Sequence, residues 1–360
     1  MRLGYWTPIY GGFLRNIDDE QMPATFAYVR RVSEIADRLG YDITLIPELY
    51  LNDRKGPSAP SLEAWELAAA VAAVTEQVEI MVAVRPGFHT PQVLAKRAAT
   101  LDDISGGRLA LNVVSAWWAE EAKQYGGVFG EHDERYVRTE EWMDVVSGLW
   151  RETPFNFAGQ FYTAEGTILE PKPQRIPPIW AGGESEGGKA SIARFADSYV
   201  MHGGTVEEIG TKVAEMRRRR EELGTDGFDE FGMAAYVIVR DTEAEAQAEL
   251  ERITAAPSAD SPGFASYQEF ISHSQLEQKV SLRDYSVGTR GLRPNLVGTP
   301  EQVAEKLLAY ADAGLDLVLI QSSPLHEELE RIAEQVFPLV GHRLGGAAGV
   351  GSSLAGVAAR

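Results

Sequence analysis

The 360-residue sequence has no cysteine, so disulfides, thiolate nucleophiles and cysteine-ligated zinc are excluded. Positive charge is in deficit: 34 Lys and Arg against 53 Asp and Glu leave a formal net charge of −19. A nucleic-acid or anionic-membrane surface needs a basic patch, so neither partner is expected. Long hydrophobic runs are lacking too. The most apolar stretch, Trp65 to Val84, is broken by Glu66, Glu76 and Glu79 and does not read as a membrane span. The opening MRLGYWTPIYGG lacks the apolar segment of a signal peptide, and a cytoplasmic location is the expectation. Histidine is scarce, and the six present show no H-E-x-x-H or other ligand spacing, so no metal site is expected. Hydrolysis by metal or serine has no support on this reading. No G-x-G-x-x-G follows a strand-like run, which argues against a Rossmann dinucleotide site.

What is present is a regular alternation. Short β-type runs at 3–8, 43–47, 78–84, 109–115, 179–183, 198–202, 233–239 and 317–321 are separated by helical patterns, several stopped by a glycine such as Gly40, Gly106 or Gly224. Eight apolar strands with helices between them predict a parallel sheet covered on both faces, closed as a (β/α)8 TIM barrel. One barrel domain over residues 1–344 is expected, with a flexible tail at 345–360. Two stretches break the repeat. Residues 153–177 alternate aromatic and polar residues and predict a hairpin insertion. Residues 257–298 are long, polar and rich in Ser, Gly and Pro, which predicts a lid-like insertion carrying Arg283, Arg290 and Arg293.

In such barrels the active site lies at the C-terminal strand ends. Those ends hold Trp6, Pro47–Glu48, Arg85 with His89 close by, Asn112 and Ser115, AGGES, His202 and QSSP. This mouth is rich in rings and hydrogen-bonding groups and poor in acid–base pairs. The stretch WAGGESEGG at 180–188 runs a strand into two glycines, with Ser185 opening a helix. Backbone N–H groups and a helix N-terminus there suit a phosphate; a plain strand–helix turn with Ser185 as N-cap is the other reading. In EHDERYVRTEEW at 131–142, Arg135 and Tyr136 offer a cation and a phenol to the same anion, or simply start a charged helix. His132 is either a general acid or a solvated loop residue. A ring-lined mouth with a phosphate turn and no strong acid–base pair points to a bound cofactor that carries the chemistry.

Four stretches, GGRLALNVVSAWW, EHDERYVRTEEW, EPKPQRIPPIWAGGES and RPNLVGTPEQVAEKL with AGLDLVLIQSSP, together resemble the bacterial-luciferase-like flavin monooxygenases over roughly residues 2–340. The likeness is greatest to the branch that oxygenates dialkyl sulfones, with enzymes acting on alkanesulfonates, methanesulfonate and pyrimidines as relatives. The resemblance implies a luciferase-like barrel that binds reduced FMN (FMNH2) supplied by a separate NAD(P)H-dependent flavin reductase. The flavin then reacts with O2 to a peroxide that oxygenates a small organic substrate. It implies that Ala83 and Asn112 border the isoalloxazine ring, with Glu48 and Leu49 touching it from strand 2. Arg135, Tyr136, Gly183 and Ser185 would bind the phosphate end with Glu121 nearby, and Ser115 and Trp117 would wall the pocket. Arg290 matches the arginine of the mobile loop and, with His132, is the catalytic candidate; Trp6 and Tyr236 are the substrate-binding candidates beside Trp117. A homodimer or homotetramer is expected.

The alkanesulfonate enzymes carry an Arg and a His on strand 7 and a Tyr at the end of strand 8, where this chain has Ala234, Tyr236 and Ser323. Losing an arginine removes a bidentate anion partner, so a neutral organosulfur substrate such as a dialkyl sulfone is expected, with C–S cleavage. An alkanesulfonate or heterocycle monooxygenase, a deazaflavin-dependent oxidoreductase and a non-catalytic flavin-binding homologue are the alternatives.

Overall fold

The computed structural model describes residues 1–115, 118–130, 132–255, 262–264, 267 and 280–342; the side chains of His132, Asp133 and Thr289 lie outside the described set. Eight parallel strands close into a barrel. They are β1 (Arg2–Trp6), β2 (Ile43–Ile46), β3 (Glu79–Val84), β4 (Leu109–Val113), β7 (Ile179–Ala181), β8 (Ser198–Met201), β9 (Phe231–Tyr236) and β12 (Leu317–Gln321). Their order round the barrel is β1-β12-β9-β8-β7-β4-β3-β2, so each of the eight predicted strands takes its place. A short antiparallel hairpin, β5 (Phe155–Ala158) and β6 (Thr163–Thr167), forms a two-stranded sheet of its own within the 153–177 stretch. The run predicted at 233–239 is broken: after β9 the chain starts β10 (Ile238–Val239), which pairs in parallel with β11 (Val297–Gly298).

Alternation along each strand sorts two cores. Ile43, Leu45, Met81, Ala110, Trp180, Leu317 and Leu319 fill the barrel interior, with Trp6 and Val200 packed at its edge. Trp180 fits because Gly232 faces it; a Cβ there would lie 3.0 Å from the indole. The other strand faces and the helices share a second, larger core. Those helices are α1 (Phe26–Leu39), α2 (Ala64–Ala72), α3 (Pro91–Ser105), α4 (Ala119–Tyr125), α5 (His132–Arg151), α6 (Glu186–Phe195), α7 (Val206–Leu223) and α8 (Glu243–Ile253). After the single turn α9 (Leu282–Tyr285) come α10 (Pro300–Asp312) and α11 (Leu325–Gln335). Local chemistry fixes their ends. Thr205 with Glu208 and Thr299 with Gln302 form capping boxes at α7 and α10, and Gly40, Gly106 and Gly224 adopt the left-handed C-cap of α1, α3 and α7. No helix among the described residues is long and apolar enough to cross a membrane.

Of the predicted lid, residues 280–298 lie on the barrel mouth. Val287 bridges Leu14, Arg15 N donates to Ser286 O at 2.9 Å, and Tyr236 N donates to Gly291 O at 2.8 Å. Residues 265–266 and 268–279, and the tail at 345–360, lie outside the described residues.

Candidate active site

The turn after β7 brings two of the predicted phosphate ligands together. Ser185, the N-cap of α6, accepts from Gly188 N at 3.0 Å, and its hydroxyl lies 3.0 Å from that of Tyr136 on α5. Gly188 makes this possible: a Cβ there would lie 2.8 Å from the Tyr136 oxygen and 3.0 Å from Ser185 Oγ. The Tyr199 hydroxyl on β8 donates to the Gly183 carbonyl and holds the turn from beneath. Arg135 is half-buried, with its guanidinium over the Phe129 ring at 4.6 Å. Two hydroxyls and a helix N-terminus converge here, a donor set that fits a phosphate monoester.

Gly183-Glu184-Ser185-Glu186-Gly187 also matches the G-x-S-x-G spacing of a hydrolase nucleophile turn, which the sequence argument against serine hydrolysis leaves out. The geometry sets that match aside. Ser185 has an ordinary extended backbone, φ −67° and ψ 153°, and its hydroxyl is engaged by Tyr136 and Gly188 rather than by a histidine base.

Beside that turn sits a latch the sequence reading missed. Glu184 pairs with Lys212 of α7 at 2.7 Å and with Arg290 of the 280–298 segment. Burial works against its charge, but His202, Lys212 and Arg290 outweigh burial and hold its carboxyl down at about 2. Arg293 pairs with Glu208 alongside. Gly203 lets the segment lie flat, since a Cβ there would collide with the Arg290 carbonyl oxygen. A cleft of about 360 Å³ opens here, lined by His202, Gly203, Glu208, Lys212 and Arg290 among others. Arg290, predicted as a catalytic cation, is therefore buried and ion-paired at the mouth. Its partner is the acid of AGGES, Glu184.

A third cluster joins the ends of β2 and β3. Arg85 donates through Nε and its backbone N–H to Glu48 Oε2, at 3.3 and 2.9 Å, and its guanidinium also pairs with Glu121 of α4. Glu121 Oε1 accepts from Tyr50 N at 2.6 Å, and His89 Nε2 meets Glu48 Oε1 at 2.6 Å. Burial opposes the Arg85 charge, and the two carboxylates overcome it and raise its pKa. Glu121, expected near the phosphate end, has a fully buried carboxylate that is taken up by Arg85 and the backbone after β2. Glu48 is likewise a buried partner of Arg85 and His89. Leu49 is buried, and its carbonyl accepts from Ser61.

Inside the mouth, Ala83 and Asn112 are direct register partners on β3 and β4. Asn112 is buried, and its Oδ1 has no hydrogen-bond partner among the described residues. An acceptor held ready beside a small alanine fits the edge of a ring carrying N–H groups, so these residues suit the isoalloxazine that the resemblance implies. Trp6 closes β1, with a buried Nε1 that is also unpaired. Tyr236 closes β9 fully buried, and burial raises its pKa well above the usual phenol value. Ser115 is half-buried just past β4. Trp117 and the side chain of His132 lie outside the described residues. No group of three metal-binding side chains occurs among the described residues.

The luciferase-like monooxygenase family model matches residues 1–317. An FMNH2-dependent dimethylsulfone monooxygenase of Pseudomonas putida is 33% identical over 350 residues, covering 94% of this chain and 95% of the relative. Among solved structures, DmoA from Hyphomicrobium sulfonivorans matches with a TM-score of 0.79 at 23% identity, covering 94% of this chain and 87% of that one. The long-chain alkane monooxygenase LadA matches with a TM-score of 0.81 at 21% identity, covering 95% and 92%. At these identities the two structures show the fold alone.

Proposed function

The chain belongs to the luciferase-like monooxygenase family, and from that membership we propose that it uses reduced FMN and O2 to oxygenate a small, neutral organosulfur compound of the dialkyl sulfone class. The carrying observation is how charge is disposed around the mouth. Anion-binding chemistry is gathered at the turn where Ser185 and Tyr136 meet. The β9 and β12 ends, by contrast, present Ala234, Tyr236 and Ser323, Arg85 is matched by Glu48 and Glu121, and Arg290 is tied to Glu184, which it shares with Lys212. Ala234, Tyr236 and Ser323 themselves offer a desolvated sulfonate no cation to pair with. The Pseudomonas relatives, named for dimethylsulfone, support the same class.

Ser185 Oγ, the Tyr136 phenol and the start of α6 would hold the flavin phosphate, with Arg135 beside them. Asn112 and Ala83 would orient the ring. When bound, reduced FMN supplies two electrons for the activation of O2. The balance is one oxygen atom into substrate and one into water. A sulfone hydroxylated on the carbon next to sulfur then breaks its C–S bond to give a sulfinate and an aldehyde. The protein's own task is to position the groups and exclude water, and the 280–298 cover serves the second. A separate flavin reductase would deliver the reduced flavin.

Anaerobic titration tests this reading. Reduced FMN is expected to bind far more tightly than oxidised FMN or a deazaflavin, so purified protein is nearly colourless. Among sulfones, sulfonates and heterocycles, only sulfones should then be oxygenated when O2 is admitted. A yellow protein holding stoichiometric FMN that dialysis does not remove, or preference for a deazaflavin, would contradict it.

A further inference from the structure

We propose that Gln321 is the substrate-anchoring residue, its buried amide N–H donating with Trp6 Nε1 to the two acceptor oxygens of a small neutral molecule across the mouth from the flavin ring. This deepens the function proposed above and rests on it.

Gln321 ends β12 with 0% exposure, yet neither its Oε1 nor its Nε2 has a hydrogen-bond partner among the described residues. A buried amide with both ends unpaired is rare, because each group has given up water for nothing. Exchanging the amide O and N leaves the same donor and acceptor unmet. Its direction follows from alternation: Leu317 and Leu319 of the same strand belong to the barrel interior, so Gln321 continues that inward-facing row. The 280–298 segment roofs it, since a Cβ on Gly291 would lie 3.2 Å from Gln321 Oε1.

The surroundings select the ligand. On the adjacent strand β1, Trp6 packs against the interior core, and its Nε1 is a second buried, unpaired donor. In the barrel order β12 stands four strands from β4 in either direction, so Gln321 faces Asn112 across the mouth. A flavin ring bordered by Asn112 and Ala83 would therefore lie opposite Gln321. Two neutral donors, Gln321 Nε2 and Trp6 Nε1, match the two oxygens of a sulfonyl group that carries no charge. The remaining Oε1 faces the polarised C–H groups next to sulfur, a weaker contact that turns the carbon to be oxygenated toward the ring. Gln321 and Trp6 bring no countercharge, so a sulfonate would give up its water there without an ion-pair partner.

The experiment is equilibrium binding of dimethyl sulfone, with methanesulfonate as the charged probe, to protein loaded anaerobically with reduced FMN. The parent is compared with Gln321→Met, which keeps shape and removes both polar groups, and with Gln321→Glu, which keeps shape and replaces the donor with a charge. The parent should bind the sulfone and not the sulfonate. Both variants should lose sulfone affinity at least tenfold while holding reduced FMN within twofold of the parent. Gln321→Met should also melt no lower than the parent, because it removes an unpaired buried amide; a purely structural role would lower Tm instead. Equal sulfone affinity in the variants, a matching loss of FMN affinity, or a parent that binds no sulfone would overturn the assignment. Sulfone binding lost in the variants but without turnover in the parent would leave the anchor standing and refute the proposed reaction.

Discussion

At the scale of single residues, the phosphate turn and the two buried arginines make the sharpest demands. Ser185→Ala and Tyr136→Phe should each weaken reduced-FMN binding by about 1–2 kcal/mol, roughly 5- to 30-fold, the usual loss for one hydrogen bond to a charged group. Anaerobic titration measures this, and unchanged affinity in both would make the pair a plain helix cap. Arg85→Met would strand Glu48 and Glu121 in the interior, so a destabilisation of about 3–5 kcal/mol is expected by denaturant unfolding. Glu184 adds a pH dependence. Its folded pKa, about 2, lies below the ordinary 4.5, so its stabilising contribution is complete above pH 4.5 and lost as pH falls through 2. Glu184→Gln should remove at neutral pH what acid removes from the parent. Hydrogen-exchange protection at Gly288–Arg293 reads this out, and a variant as protected as the parent would show that the latch carries no weight. Part of this was legible in the sequence. AGGES and ERY carry the residue types of an anion turn, though the same letters also read as a plain strand–helix turn and a charged helix start. The Glu184–Arg290 pair and the Arg85 cluster were not legible, because each joins residues far apart in sequence whose meeting is decided only when the barrel closes.

At the scale of elements, capping and alternation made the architecture readable. Thr299–Pro300 starts α10 and Gly40 stops α1 through local backbone chemistry alone. The eight apolar runs stand out because a barrel strand is buried on both faces. The break after Tyr236 was hidden: MAAYVIV reads as one strand, and only the arrival of Leu296–Gly298 beside Ile238 divides it. The cover at 280–298 is held by the Glu184 latch together with the Leu14–Val287 bridge and the backbone bonds at Ser286 and Gly291, and Gly203 leaves it room to lie flat. Gly203→Ala should therefore lift it from the mouth and leave the barrel intact, with faster limited proteolysis within 280–298 and an unchanged Tm for the core. Arg290→Ala should act in the same direction and raise the hydrogen peroxide released per O2 consumed, since water then reaches the reacting centre. Protease sensitivity and coupling like the parent's in both variants would make the segment a passive insertion.

At the scale of the whole molecule, the chain carries a net charge of −19, and the reaction proposed for it takes a substrate that brings no charge of its own. On the proposed function, the barrel, the turn at Ser185, the strand-end groups and the cover would serve one event, the transfer of a single oxygen atom from O2 to a neutral sulfone. Isotope labelling reads that event directly. Protein mixed with reduced FMN, dimethyl sulfone and 18O2 should give aldehyde and sulfinate in equal amounts, with one 18O atom per turnover passed to substrate and trapped by immediate reduction of the aldehyde. Flavin oxidation that returns all the labelled oxygen as hydrogen peroxide or water, with the sulfone untouched, would contradict the account.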